Sequence, residues 1–207
     1  MTTATVYIAF ARPNDRRVSV GAARYDRLTI GEAGQKGTTM DAKTQAFVDQ
    51  HDAQIVDVIR RYGWFIQYVG PGVAYAPGCQ RGAESAEPPF AYTVGLFGLG
   101  HPELLVLGIS PRDTAAILND LGVRIKAGAT LLPGELVTFD QWPHRIIPET
   151  VPNPGEIVLE SNRFYHRPDQ HSVPVLQLSY DDIEGRFPWE DGYAAPWAQP
   201  RPGTFKA

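Results

Sequence analysis

The segment Phe90-Ala91-Tyr92-Thr93-Val94-Gly95-Leu96 alternates bulky apolar residues with small ones, and no other stretch constrains the fold as much. Period-two alternation puts residues 90, 92, 94 and 96 on one face of a strand and Ala91, Thr93 and Gly95 on the other. A strand with one small face lets a helix or a ligand approach its backbone closely. The other strand signals are short. Residues 4–10 and 17–30 alternate and can pair as a hairpin across Pro13-Asn14-Asp15. Trp64 to Val69 is aromatic and β-branched, and Leu104 to Ile109 is a continuous apolar run of strand length. Leu136 to Phe139 and Arg145 to Ile147 read as two shorter strands. Val173 to Tyr180 is the last, and Pro174 marks it as an edge strand or a strand start.

Two segments carry helical period. Between Asp41 and Tyr62, the residues Phe47, His51, Ile55, Ile59 and Tyr62 share one face, and Gly63 stands where a left-handed cap would end the helix. Ser110-Pro111-Arg112-Asp113 supplies an N-cap, a proline at the first helical position and an acid in the first turn. That helix is expected to run to about Leu121, with Ile117, Leu118 and Leu121 inward and Gly122 closing it. Gly31 to Thr39 reads as a linker, and Gly70 to Pro88 as a long loop without apolar period. The expected fold is α+β, with a mostly antiparallel, barrel-like sheet and two main helices. Residues 1–40 form an N-terminal β extension, 41–195 a single domain, and 196–207 an irregular C-terminal tail.

A chain of 207 residues is long enough for one core, and its 18 prolines and 20 glycines suit a loop-rich domain. The lone Cys79 allows no internal disulfide, which points to a reducing, cytoplasmic location. The apolar run after Met1 has no basic region before it and reads as a strand, not a signal peptide. No apolar run approaches the roughly 20 residues of a membrane-spanning helix. The net charge is −4, and Arg16-Arg17 and Arg60-Arg61 are the only adjacent basic pairs. Nucleic acid is therefore not expected as a partner, because phosphate binding normally leaves a clustered basic face. A small-molecule ligand is the expected partner, and nothing in the sequence sets the oligomeric state.

The most suggestive chemistry lies in Gly100-His101-Pro102-Glu103. An imidazole oriented by a carboxylate can do acid–base work, with His101 as the acid–base group and Glu103 as its orienter. Against this stands a plainer assignment, in which His101 caps a turn and Glu103 pairs with an arginine. Tyr92 and Thr93 are the expected hydrogen-bonding contacts beside the turn. A metal version would add His166 and His171, with Glu103 or Asp169. The spacing fits no zinc or iron motif, so no metal is assigned. Cys79 beside Arg81 is a loop thiol of incidental character. No nucleophile-elbow serine motif is present, and the spacing of Gly95, Gly98 and Gly100 excludes a dinucleotide fingerprint. A second constellation gathers Tyr180, Asp181, Asp182, Arg186, Phe187, Trp189, Glu190 and Tyr193. Such groups build ligand pockets and interfaces, although an arm laying Phe187 and Trp189 into the core is the simpler reading.

Gly63-Trp64, Pro88 to Leu96, Gly100 to Leu104, Leu176-Gln177-Leu178, Asp182 and Gly185 to Glu190 together resemble a bacterial domain of unknown function, number 4262, over roughly residues 45–195. The resemblance implies a soluble bacterial domain and brings no activity with it. The residues themselves point to a domain binding a small molecule or an unspecified cofactor, with acid–base chemistry at the His101–Glu103 turn and contacts from Trp64, Tyr92, Thr93, Arg186 and Trp189. By fold analogy, the short strands and the helix at Ser110 suit a flavin-type split barrel. The alternative is a non-catalytic protein-interaction module anchored by Trp64, Tyr92 and Trp189.

Overall fold

A computed structural model describes residues 3–10 and 19–26 as backbone, and residues 42–71, 88–168 and 170–207. Cys79, Arg81, Asp169, the 31–39 linker and most of the 70–88 loop fall outside the described residues. The elements in chain order are β1 (Thr3–Phe10), β2 (Ser19–Asp26), α1 (Ala42–Tyr62), β3 (Phe65–Pro71), β4 (Phe90–Val94), β5 (Glu103–Leu107), α2 (Pro111–Lys126), β6 (Ile146–Thr150), α3 (Leu159–Phe164) and β7 (Val175–Tyr180). Single 3-10 turns lie at Leu96–Leu99 and Pro154–Glu156. No described helix is long and apolar enough to cross a membrane.

Strands β3 to β7 form a mixed sheet, and the β1–β2 hairpin extends it past β3. The full order is β2-β1-β3-β4-β5-β7-β6. Neighbours are antiparallel except β5 and β7, which run parallel with Glu103 opposite Val175. The sheet is thus α+β and mostly antiparallel as expected, but it is open, and the barrel-like expectation is corrected. Strands β2 and β6 end the sheet instead of pairing with each other. Pro148 within β6 has no N–H to give to a further strand, which suits an edge. The strand expected at 136–139 reduces to one bridge, between Val137 and Ile146.

Both faces of the sheet are covered. On one, Ile117, Leu118, Leu121 and Ile125 of α2 pack against Ile66, Ala91, Leu104 and Val106. On the other, Ile55 and Val58 of α1 meet Phe65, Tyr92, Val94 and Leu105. What approaches the small face of β4 is therefore a helix and a tryptophan. A Cβ on Gly95 would lie 2.6 Å from the Gly63 carbonyl oxygen and 2.8 Å from the Trp64 Cα.

The helix starts follow from local chemistry. Ser110 caps α2 by accepting a hydrogen bond from Asp113 N (3.2 Å). Gly63 ends α1 at φ +107, with its N–H on the Ile59 carbonyl (2.8 Å). Gly122 does not end α2, which continues to Lys126. It is a packing notch instead: a Cβ there would sit 2.4 Å from Trp64 Cε2. The indole N–H of Trp64 is held by Asn119 Oδ1 (3.1 Å). Helix α3 was not legible in the sequence; it docks through Ser161 Oγ donating to the Thr93 carbonyl (2.9 Å). The last residues are irregular but anchored. Gln199 bonds the backbone N–H and carbonyl of Tyr180 through its amide, and Phe205 packs edge-on to Phe90 at 5.1 Å.

Candidate functional site

Glu103 opens β5 with its side chain fully buried beneath the Leu96–Leu99 turn. One carboxylate oxygen accepts from Gly95 N (2.8 Å) and Phe97 N (3.1 Å). The other accepts from Thr93 Oγ1 (2.6 Å) and Leu96 N (3.2 Å). Thr93 Oγ1 in turn accepts from Leu104 N (2.9 Å). The first N–H groups of a short helical turn have no partner within the turn, and a carboxylate satisfies them with favourable charge. Burial nonetheless pushes the Glu103 carboxyl up to about 7, against the pull of these four donors.

His101 is also buried. Its Nε2 lies 3.1 Å from Leu131 N, and its Nδ1 lies 2.7 Å from the Pro102 carbonyl oxygen. A peptide N–H can only donate, so Nε2 is the acceptor and Nδ1 carries the proton. Burial holds the ring below its ordinary pKa, which keeps it neutral. Among the described residues no hydrogen bond or ion pair joins His101 to Glu103. The orienter expected for His101 is replaced by two backbone groups, because the imidazole turns towards the 131 loop while the carboxylate turns under the 95–99 turn.

Tyr92 and Trp64, expected as contacts, are core side chains, each about 3% exposed. The Tyr92 hydroxyl accepts from Glu160 N (3.2 Å), and burial raises its pKa. Thr93 serves Glu103 as described. Arg186 is tied into its own turn by ion pairs to Asp182 and Glu184. Asp182 holds that turn by also accepting from Glu184 N, Arg186 N and Ala194 N. His166 and His171 are exposed, and no cluster of His, Cys, Asp or Glu able to hold a metal occurs among the described residues.

Trp189 differs from the other expected contacts. It is 42% exposed and stacks on buried Phe187, with ring centroids 4.9 Å apart and planes 5° from parallel. The Arg201 guanidinium lies over the same ring, 4.7 Å from its centroid. Arg201 is paired with Glu149, whose second oxygen accepts from Ser179 Oγ (2.6 Å). Trp189, Arg201 and Glu149 wall an open groove of about 770 Å³ along the β6 edge, completed by Pro133, Pro148, Thr150 and Pro202. Among the described residues, neither the Trp189 indole N–H nor the Thr150 hydroxyl makes a hydrogen bond. Sequence reasoning found Trp189 and missed the rest. The one available signal was a proline inside a strand; nothing local places Arg201 beside Glu149.

The family model of a domain of unknown function, DUF4262, matches residues 58–194. No curated protein and no solved structure matches the chain. The matched span holds the His101–Glu103 turn and Trp189, while Arg201 and Pro202 lie beyond it. With two thirds of its length matched, the chain belongs to the DUF4262 family.

Proposed function

We propose that this member of the family is a non-catalytic interaction module whose contact surface is the groove along β6, with Trp189 as its anchor. The observation that carries the reading is the exposed, stacked indole of Trp189 in an open groove. Deep, enclosed pockets suit small ligands, whereas an open trough with an aromatic anchor suits a segment of another chain. His101 and Glu103 fit a framework role, since each of their polar side-chain atoms already has a backbone or threonine partner. The acid–base reading keeps one supporting observation, a Glu103 carboxyl near 7. It would need a substrate to displace donors now bound to that carboxylate.

The test is selection of a displayed random-peptide library on the wild-type protein, with depletion on Trp189→Ser. Groove-dependent clones should emerge and bind the variant at least roughly tenfold more weakly, as expected for loss of a tryptophan anchor. A selection in which every enriched clone binds the correctly folded variant equally well removes the reading.

A further inference from the structure

We infer that two copies of the chain join through the outer edges of their β2 strands, paired antiparallel about a twofold axis into one continuous sheet. The two ends of the sheet are built differently. At β6, Pro148 has no N–H, and its carbonyl oxygen already accepts from Gly134 N (2.8 Å). Ile146 is closed as well, exchanging both backbone hydrogen bonds with Val137 (2.8 and 2.9 Å). Strand β2 has no such protection in its own sequence. It is 8 residues long, holds no proline and no lysine, and keeps its charges, Arg24 and Asp26, to one end. Its register with β1 runs unbroken from Thr3↔Asp26 to Phe10↔Ser19, so no bulge twists the edge away. Among the described residues no strand pairs with its outer side. Alternate residues of β2 therefore turn N–H and C=O groups away from β1, where a further strand can take them.

The same asymmetry argues that the partner is a second copy. A chain with two open edges would grow into a fibre. A chain with one open and one closed edge is finished once its open edge meets an identical one, because that contact consumes both. Symmetry then limits the register. A twofold axis normal to the sheet keeps each face on its own side, so a position pairs only with one of the same parity. The two registers with the longest overlap set Ala22 or Ala23 on the axis, opposite its own copy, and pair positions 19–25 or 20–26. Arg24 then stands opposite Val20 or Ala22 of the second copy. In neither register does Arg24 or Asp26 meet a charge of its own sign, so the edge is electrostatically compatible with itself.

The native mass of the full chain, read by light scattering at micromolar concentration, should be twice that of the chain. Ala22→Lys sets an ammonium opposite its own copy in one register and opposite Arg24 in the other. It should raise the dissociation constant at least roughly tenfold with an unchanged circular-dichroism spectrum. Ala22→Ser, which adds no charge, should stay dimeric. In a Cys79→Ser background, Ala22→Cys or Ala23→Cys should form a disulfide-linked dimer under mild oxidation, since opposed Cα atoms of an antiparallel pair lie about 4.5–5.5 Å apart. Ser19→Cys should not, because its two copies lie roughly 20 Å apart or more. If the lysine variant misfolds, the cross-link decides. A monomeric mass overturns the inference, and so does a dimer that neither axial cysteine cross-links. The peptide selection reads the groove at the other end of the sheet, so the two readings stand or fall separately.

Discussion

Replacing Glu103 with glutamine removes a titratable group from the interior while nearly preserving its volume. In the folded chain burial raises this carboxyl to about 7 from an ordinary 4.5. An acid that holds its proton more tightly when folded stabilises the fold fully below its unfolded pKa, and that contribution disappears as pH rises through the folded value. At about 1.4 kcal/mol per pKa unit, wild type should lose about 2–3 kcal/mol relative to Glu103→Gln between pH 5 and pH 8. For a chain of this length, that moves the gap between the two melting temperatures by roughly 5–10 °C. At pH 5 the variant should be the less stable protein by about 1–3 kcal/mol, since its amide nitrogen faces a peptide N–H that needs an acceptor. Burial lowers the pKa of His101 and His51, so protonation destabilises the fold below about pH 6.5. Both proteins share that slope, and it cancels in the difference. Thermal and urea unfolding of the two proteins across this pH range supply the measurement. A difference that stays constant, or that shifts towards wild type as pH rises, would refute the reasoning. The four donors would then outweigh burial, and the carboxylate would be ionised throughout.

Gly122→Ala should destabilise the protein by about 1–3 kcal/mol even though alanine is the better helix former, because the new methyl displaces the Trp64 indole. Urea unfolding reads the stability and near-ultraviolet dichroism the displaced ring; a more stable variant with an unchanged spectrum contradicts the packing notch. His101→Ala leaves the Leu131 N–H without its acceptor and opens a small cavity, and should cost about 2–4 kcal/mol. A variant of unchanged stability that has lost a ligand or a turnover would instead restore the acid–base assignment.

Parts of this fold were legible because they rest on near neighbours in the chain. The three- and four-residue spacing of α1, its Gly63 cap and the Ser110 cap of α2 are local facts, and the structure reproduces them. The alternation along β4 was equally readable, since its two faces enter the two core clusters. Gly122 misled because a glycine late in a helix has the same local appearance whether it ends the helix or admits a neighbour's ring. The His101–Glu103 pairing misled because closeness in sequence does not fix where two side chains turn: one residue sits in the turn and the other opens a strand. The open sheet could not be read from the elements themselves, because closure depends on which strands end up as neighbours. The groove was invisible for a related reason, being assembled from the 133, 148–150, 189 and 201 regions.

The parallel pairing of β5 with β7 carries a consequence for how the chain assembles. Strands β3, β4 and β5 are joined to one another antiparallel, as are β6 and β7, so the sheet consists of two parts meeting along a single seam. Glu103 lies on that seam: its backbone N–H reaches the Pro174 carbonyl (2.9 Å) while its side chain holds the 95–99 turn. Closing the seam brings together positions far apart in sequence, and the loop entropy must be overcome before the contact returns any stability. Docking of the β6–β7 part is therefore expected late in folding. The surface it meets is the one Glu103 organises, so the residue expected to orient the catalytic histidine also stands as the keystone between two halves of a sheet.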